Sequence, residues 1–305
     1  MATSASTILT RARAILQIDS NSGIPGLEDS HLLAMLNAAN YEYVNAFRKG
    51  GGEPPDFMRA ETGGTLVADT DLDESGGVAT TDTTLDLTSA TNAISSGGGI
   101  VVYDEDMPDI VYYTSKSSNQ LTGVTGIGFA HEDADTVSFL YALPSNFHDL
   151  RQTEGYGDGV RVNGVNYTFT SGVPTGTQFS LVNNAGAFYL WFPRSASGDY
   201  SVFYNKTVTT INDAADNIDI PDTLPTDQMF VVWRLVEQSA PLLENFNLSG
   251  IARGEAQVIL RDALKTKHAG KRVRLLQGAR ILNSMAGGSN QEFYNPRVGS
   301  YGFYS

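Results

Sequence analysis

The sequence predicts an α+β protein, with helical N- and C-terminal elements forming a bundle, a β-sandwich-like body and a small inserted β module. Three observations predict it. Apolar residues recur at helical spacing before residue 55 and after residue 223. Between those limits the pattern has period two and is punctuated by Gly, Asn and Asp. Helical runs and strand runs are segregated along the chain, which argues against alternating βα units.

The first helix is expected over residues 6–18, where Ile8, Leu9, Ala12, Ile15 and Leu16 share one face. A polar turn, Ser20 to Gly26, leads to a second helix from about Glu28 to Lys49, with Leu32, Met35, Leu36, Ala39, Tyr43 and Phe47 as its stripe. Asp29 or Ser30 can cap its start, and Gly50-Gly51-Gly52 stops it. Residues 1–55 thus read as an antiparallel helical hairpin, and 56–78 as a linking strand centred on 57–68. An inserted module spans 79–142, with strand-like runs at Leu85–Leu87, Ile100–Tyr103 and Ile110–Thr114, continued by Leu121, Val124 and Ile127. In the body, 143–222, Val160 to Tyr167 reads as a hairpin, because Asn163-Gly164 supplies the positive φ angles of a type I′ turn. Ala187–Phe192 and Tyr200–Tyr204 are further strands. Helices return over 223–286. Met229, Val232, Trp233, Val236 and Ala240 form a stripe that Pro241 bends or ends, and a long basic helix follows from about Ile251 to Met285, with a possible break at Ala269-Gly270. Residues 287–305 form a C-terminal arm.

Charge divides the chain. From Ile251 onward there are nine basic and three acidic residues, which leaves −20 for residues 1–250 against a total of −14. Residues 60–115 hold eleven acidic residues and no basic one, so the module should face water or repel a polyanion. The absence of cysteine excludes disulfides, Cys-zinc sites and thiol catalysis. No apolar run approaches the roughly 18 residues needed to span a bilayer. Met1–Ser6 lacks a charged-then-apolar layout, so no signal peptide and a cytoplasmic site of synthesis are expected.

Patterns that suggest catalysis fail on inspection. His131-Glu132-Asp133-Ala134-Asp135 offers one histidine and lacks the second that HExxH requires, so a solvated acidic loop is expected. Asp69-Thr70-Asp71-Leu72-Asp73-Glu74 begins like a calcium loop, but its sixth and twelfth positions are Glu74 and Thr80 rather than Gly and Glu. Gly155–Gly159 and Gly97–Gly99 precede strands, so neither offers a helix N-terminus to a phosphate. His148-Asp149 are adjacent and poorly placed for a triad. No catalytic residue, cofactor or metal is expected.

The arm is the most unusual segment. Gln291–Ser305 carries five aromatics in fifteen residues, Phe293, Tyr294, Tyr301, Phe303 and Tyr304, with no helical or strand period. It cannot build a core of its own, and docking on another subunit is the natural use of such a ribbon. Lys265, Lys267, Lys271, Arg272 and Arg274 ahead of it suit an acidic partner surface better than DNA, given −20 over the rest of the chain.

Three stretches resemble the head-to-tail connector (adaptor) proteins of tailed bacteriophages. They are the paired helices with Leu32–Asn40; the module from Thr84–Ser89 through Gly99–Val102 and Ile110–Thr114 to Leu121–Val124; and Tyr200–Lys206 with Ile218–Asp222 and the helix Phe230–Leu242. The resemblance implies a homo-oligomeric ring of about twelve copies at the portal vertex of the virion, assembled in the host cytoplasm. It implies contact with the portal protein above and a tail or nozzle protein below, with double-stranded DNA passing through the central hole without specific binding and no membrane involved. Phe293, Tyr294, Tyr301, Phe303 and Tyr304, supported by Lys271, Arg272 and Arg274, are the residues expected to dock on the portal. The alternative is a tail component that anchors fibres or binds carbohydrate through the inserted module, stacking sugars on Tyr112 or Trp191. A second alternative is a hydrolase with a metal at Asp69, Asp71 and Asp73.

Overall fold

The structure, a computed structural model, describes residues 2–18, 27–49, 54–104, 107–151 and 158–285, giving backbone alone for Ala2, Lys49 and 266–285. It is a mixed α+β chain with curled sheets and four α-helices among the described residues. In order, the elements begin with β1 (Ala2–Ser4), α1 (Ala5–Leu16), α2 (Asp29–Lys49), β2 (Arg59–Leu66) and β3 (Thr70–Asp71). Next come β4 (Thr84–Asp86), β5 (Gly98–Asp104), β6 (Met107–Tyr113), β7 (Ser115–Ser117), β8 (Gln120–Thr122) and β9 (Thr136–Phe139). The body adds β10 (Tyr141–Ala142), β11 (Phe147–Leu150), β12 (Val160–Val162), β13 (Val165–Phe169), β14 (Gln178–Asn184), β15 (Ala187–Trp191), β16 (Gly198–Lys206) and β17 (Asn217–Pro221). The chain closes on α3 (Pro225–Ser239) and α4 (Phe246–Met285). It divides into a helical unit, residues 3–39 with 222 onward, and a β-rich unit, residues 40–221.

In the helical unit, α1 buries Ala5, Ile8, Leu9, Ala12 and Leu16, the face its periodicity marks, while Ile15 stays half-buried. It packs on α3, and it reaches α2 through the Arg13–Asp29 ion pair. α3 in turn packs on α4. Amphipathic spacing marks the face a helix buries but is silent on its partner. Pro225 sits at the first turn of α3, where its missing N–H costs nothing. Phe230, Val231, Val232, Leu235 and Val236 are buried, whereas Met229 and Trp233 of the expected stripe are half-buried. Pro241 turns the end of α3 into a 3-10 turn, Ala240–Leu243. Buried Glu237 then ties α3 to α4, accepting from Arg253 Nε at 2.8 Å and from Arg234. α4 starts at Phe246, earlier than expected, and runs unbroken through Ala269-Gly270 for 40 residues.

In the β-rich unit the largest sheet has the order β10-β15-β14-β13-β12-β16-β11, with β2 added on β16. Asn163 (φ 47°) and Gly164 (φ 77°) form the two-residue turn between β12 and β13, both in the left-handed region as the Asn-Gly pair predicts. The body's core gathers Phe147, Val160, Val162, Phe179, Leu190, Phe192, Val202 and Tyr204. Two smaller sheets, β3-β9-β5-β6 and β4-β8-β7, make the module. The run 56–78 contains strands of both: β2 pairs with β16 of the body over eight residues, while β3 pairs with β9 of the module.

The module closes a core of its own, from Leu72 and Val78 through Leu85, Leu87, Ile100, Val102, Val111, Tyr113 and Leu121 to Val137 and Phe139. Its entry and exit strands lie side by side, with Thr70 opposite Val137. Lys116, its one basic residue, is spent inward, donating from Nζ to the Ala90 carbonyl at 2.7 Å.

Candidate functional site

β5 and β6 explain where the module meets the body. Along these strands alternate residues point to opposite faces. Ile100, Val102, Val111 and Tyr113 enter the module core. Val101, Tyr103, Ile110 and Tyr112 face the other way, against Leu140, Val182, Tyr189 and Trp191. Ile100-Val101-Val102 is a continuous apolar run because both faces of its strand are covered.

Polar groups lock this seam. Trp191 Nε1 donates to Tyr103 Oη at 2.9 Å, and the Tyr112 and Tyr189 rings lie 5.8 Å apart. Arg194 places its guanidinium 5.3 Å over the Tyr103 ring and donates to Asp69 Oδ2 at 3.3 Å and Thr136 Oγ1 at 3.2 Å. Ser138 Oγ donates to the other Asp69 oxygen at 2.7 Å, and the Val67 amide donates to Tyr141 Oη at 2.8 Å. Burial lifts the Tyr103 phenol above the ordinary tyrosine value, against the lowering effect of the hydrogen bond from Trp191. Burial also lifts Tyr141, against the Val67 amide. The arrangement fixes the seating of the module. Beside it, a groove of about 430 Å³ is lined by Pro108, Ile110, Val173, Leu181, Val182 and Trp191, among others.

Glu132, Asp133 and Ala134 are exposed, as expected of an acidic loop, but His131 at its head is buried. Its side chain is 1% exposed, with Nε2 3.3 Å from Asp109 Oδ2 and Nδ1 3.4 Å from Asp135 Oδ2. The Phe129 ring packs against it, tilted, with centroids 4.7 Å apart, and Asp109 Oδ2 also accepts the Gly128 amide at 2.6 Å. The two ring nitrogens face different carboxylates, with a hydrogen bond at Nε2 and none at Nδ1, and give no common point for an ion. The acidic run misled because His131 lies against Phe129 and Asp109, and Asp109 is 22 positions away in the chain.

Asp69 is occupied by Arg194 and Ser138, and among the described residues no cluster of three or more acidic, histidine or cysteine side chains could hold a metal. His148 Nε2 lies 3.8 Å from Asp149 Oδ2 with both side chains open to solvent, and Asp149 accepts from Asn205. Trp191, offered as a sugar platform, is 4% exposed, and Tyr112 is half-buried. Gly97–Gly99 runs into β5, as its spacing suggested, while Gly155–Gly157 lie outside the described residues.

The portal-docking residues cannot be placed by contacts. Phe293, Tyr294, Tyr301, Phe303 and Tyr304 lie outside the described residues, and Lys271, Arg272 and Arg274 lie on α4 where the backbone alone is described. Sequence reasoning missed Arg194 and Tyr103, whose partners are distant in the chain; the local signal was a polar-ended aromatic in an otherwise aliphatic strand. Among the described residues no helix is long and apolar enough to cross a membrane. No family model and no curated protein matches the chain.

Proposed function

We propose that the chain is a structural virion protein, the subunit of a head-to-tail connector (adaptor) ring that docks beneath the portal, joins capsid to tail and forms part of the DNA channel. The observation that carries the reading is α4. A helix of 40 residues, about 60 Å long at 1.5 Å per residue, bears eight basic residues against two acidic ones and leads directly into the aromatic arm. Among its described side chains Phe246, Ile251 and Val258 are exposed, which suits contacts with other chains. In this reading the helices form the bundle of the ring, the body is sandwich-like, and the module faces outward or toward the tail. About twelve copies close the ring through two different faces per subunit. The excess negative charge of residues 1–250 keeps phosphate from sticking, so double-stranded DNA slides through without specific binding. The role is geometric, with no chemistry assigned to any residue, and the protein resides at the portal vertex.

The arm supplies the test. Full-length protein and a variant lacking residues 287–305 are mixed with portal rings and co-sedimented. The truncated chain is expected to keep its thermal melt and lose portal binding, because Phe293, Tyr294, Tyr301, Phe303 and Tyr304 are gone. Equal binding of both proteins would overturn the assignment.

A further inference from the structure

We propose that β14 takes an extended segment of another protein as an added strand. The segment has no acidic residue and an apolar side chain at every second position. β13 runs parallel to β14 and pairs with it only at Thr168–Gln178 and Phe169–Phe179. The chain then leaves the sheet. The Thr170 amide still donates to the Phe179 carbonyl, and Ser180 Oγ donates to the Thr170 carbonyl at 2.8 Å. Beyond that point, among the described residues, no strand lies beside Leu181–Asn184 on this side, while β15 covers the other.

The register identifies the backbone groups left over. Ala185-Gly186 is a two-residue turn, so Asn184 and Ala187 form a hydrogen-bonded pair, and Val182 and Tyr189 the next. Leu181 and Asn183 therefore aim their N–H and C=O away from β15, on the side where Phe179 meets Thr170. These groups border the groove beside the seam, whose apolar wall includes Pro108, Ile110, Val173 and Trp191. An open strand edge along an apolar wall is the geometry of strand addition: main-chain hydrogen bonds hold the guest, and the wall selects its alternate side chains.

Composition separates this edge from the others. From Val162 to Pro193 the chain has thirty-two residues and no acidic or basic one, although 18% of the whole chain is charged. Val165, Phe169 and Val173 in that run are 53%, 49% and 46% exposed. Depletion of charge at the centre of a patch is the mark of an interface core. Edges protected from pairing carry charges or proline, and Leu181–Asn184 has neither. Residues 40–221 hold 24 acidic residues against eight basic ones, so an acidic guest is repelled and basic flanks are favoured. The edge is recessed between β6 and residues 170–173, which admits a free segment but not the edge of a folded sheet such as a second copy would bring.

The probe is a capped nonapeptide in which valine and threonine alternate between two terminal lysines, titrated into the full chain by calorimetry. Saturable binding is expected. Exchange of the Leu181 and Asn183 amides should slow about tenfold or more at saturation, while residues 60–66 of the β2 edge stay unchanged. Methylating the peptide nitrogens of the valines, or of the threonines, removes the donors along one edge of the guest. One series should weaken binding about tenfold or more and the other less than about threefold. Absence of saturable binding, equal loss in both series, or protection at β2 instead of β14 would each overturn the proposal. Tighter binding of a peptide of residues 291–305 at the same edge would overturn it in favour of the chain's own arm. Self-association of the chain that the nonapeptide abolishes would overturn it in favour of a second copy. Failure of the nonapeptide to bind leaves the ring reading untouched.

Discussion

At the scale of single residues, the structure gives two side chains definite roles. Gly164 holds φ at 77° in the β12–β13 turn, with open space around the position where a Cβ would stand. Gly164→Ala therefore isolates the conformational cost and should destabilise the β-rich unit by about 1–2 kcal/mol, read from urea unfolding. His131 is the second. Removing it leaves a cavity beside Phe129 and strips a partner from the buried Asp109 carboxylate. His131→Ala should cost about 2–3 kcal/mol, whereas exposed Glu132→Ala should stay within about 0.5 kcal/mol. Equal effects of the two substitutions would mean that the histidine does not pin its loop.

At the scale of elements, the module should stand alone. The fourteen buried residues of its core all lie between Leu72 and Phe139, and none is borrowed from the body. A fragment of residues 67–140 is expected to melt cooperatively and stay soluble, carrying thirteen acidic residues against Lys116 alone. A fragment without a cooperative transition would show that the seam with Trp191 is part of its folding. This level of organisation was legible unevenly. Helix faces and the Asn163-Gly164 turn could be read because their signals are local: a period of 3.6 and a residue pair with one preferred turn. The partner of α1, the continuity of α4 and the seam could not, since each depends on residues far apart in the chain. Tyr103 meets Trp191 across 88 positions and Arg194 meets Asp69 across 125. His131 was misread for a related reason, as its acidic neighbours in sequence are not all its neighbours in space. The docking aromatics of the arm lie outside the described residues and remain part of the proposal.

At the scale of the molecule, the tyrosines set a limit at high pH. Tyr103, Tyr112, Tyr113, Tyr141, Tyr200 and Tyr204 all have phenols raised above 10.0, in each case chiefly by burial. For an acid the raised folded value means that the folded chain holds protons the unfolded chain has released. Their contribution to stability is full below pH 10.0 and is lost as pH rises through the raised values. The melting temperature should thus hold steady toward pH 9 and fall steeply above about pH 10. Circular dichroism melts across that window, set beside the ultraviolet signal of ionising tyrosine, check both the direction and the coincidence. Tyrosines that ionise at their ordinary value without loss of fold would contradict it.

The neighbouring strands β3 and β9 carry a further implication. Because the module leaves the body and returns at almost the same point, Thr70 beside Val137, the body experiences it as one short crossing of the chain whatever is folded beyond. A cassette held in this way can be swapped for another of unrelated shape without altering the register of the sheet beneath, provided that the replacement covers Trp191 and meets Arg194. Exchange of outer specificity on a constant frame then becomes a matter of splicing at two adjacent residues.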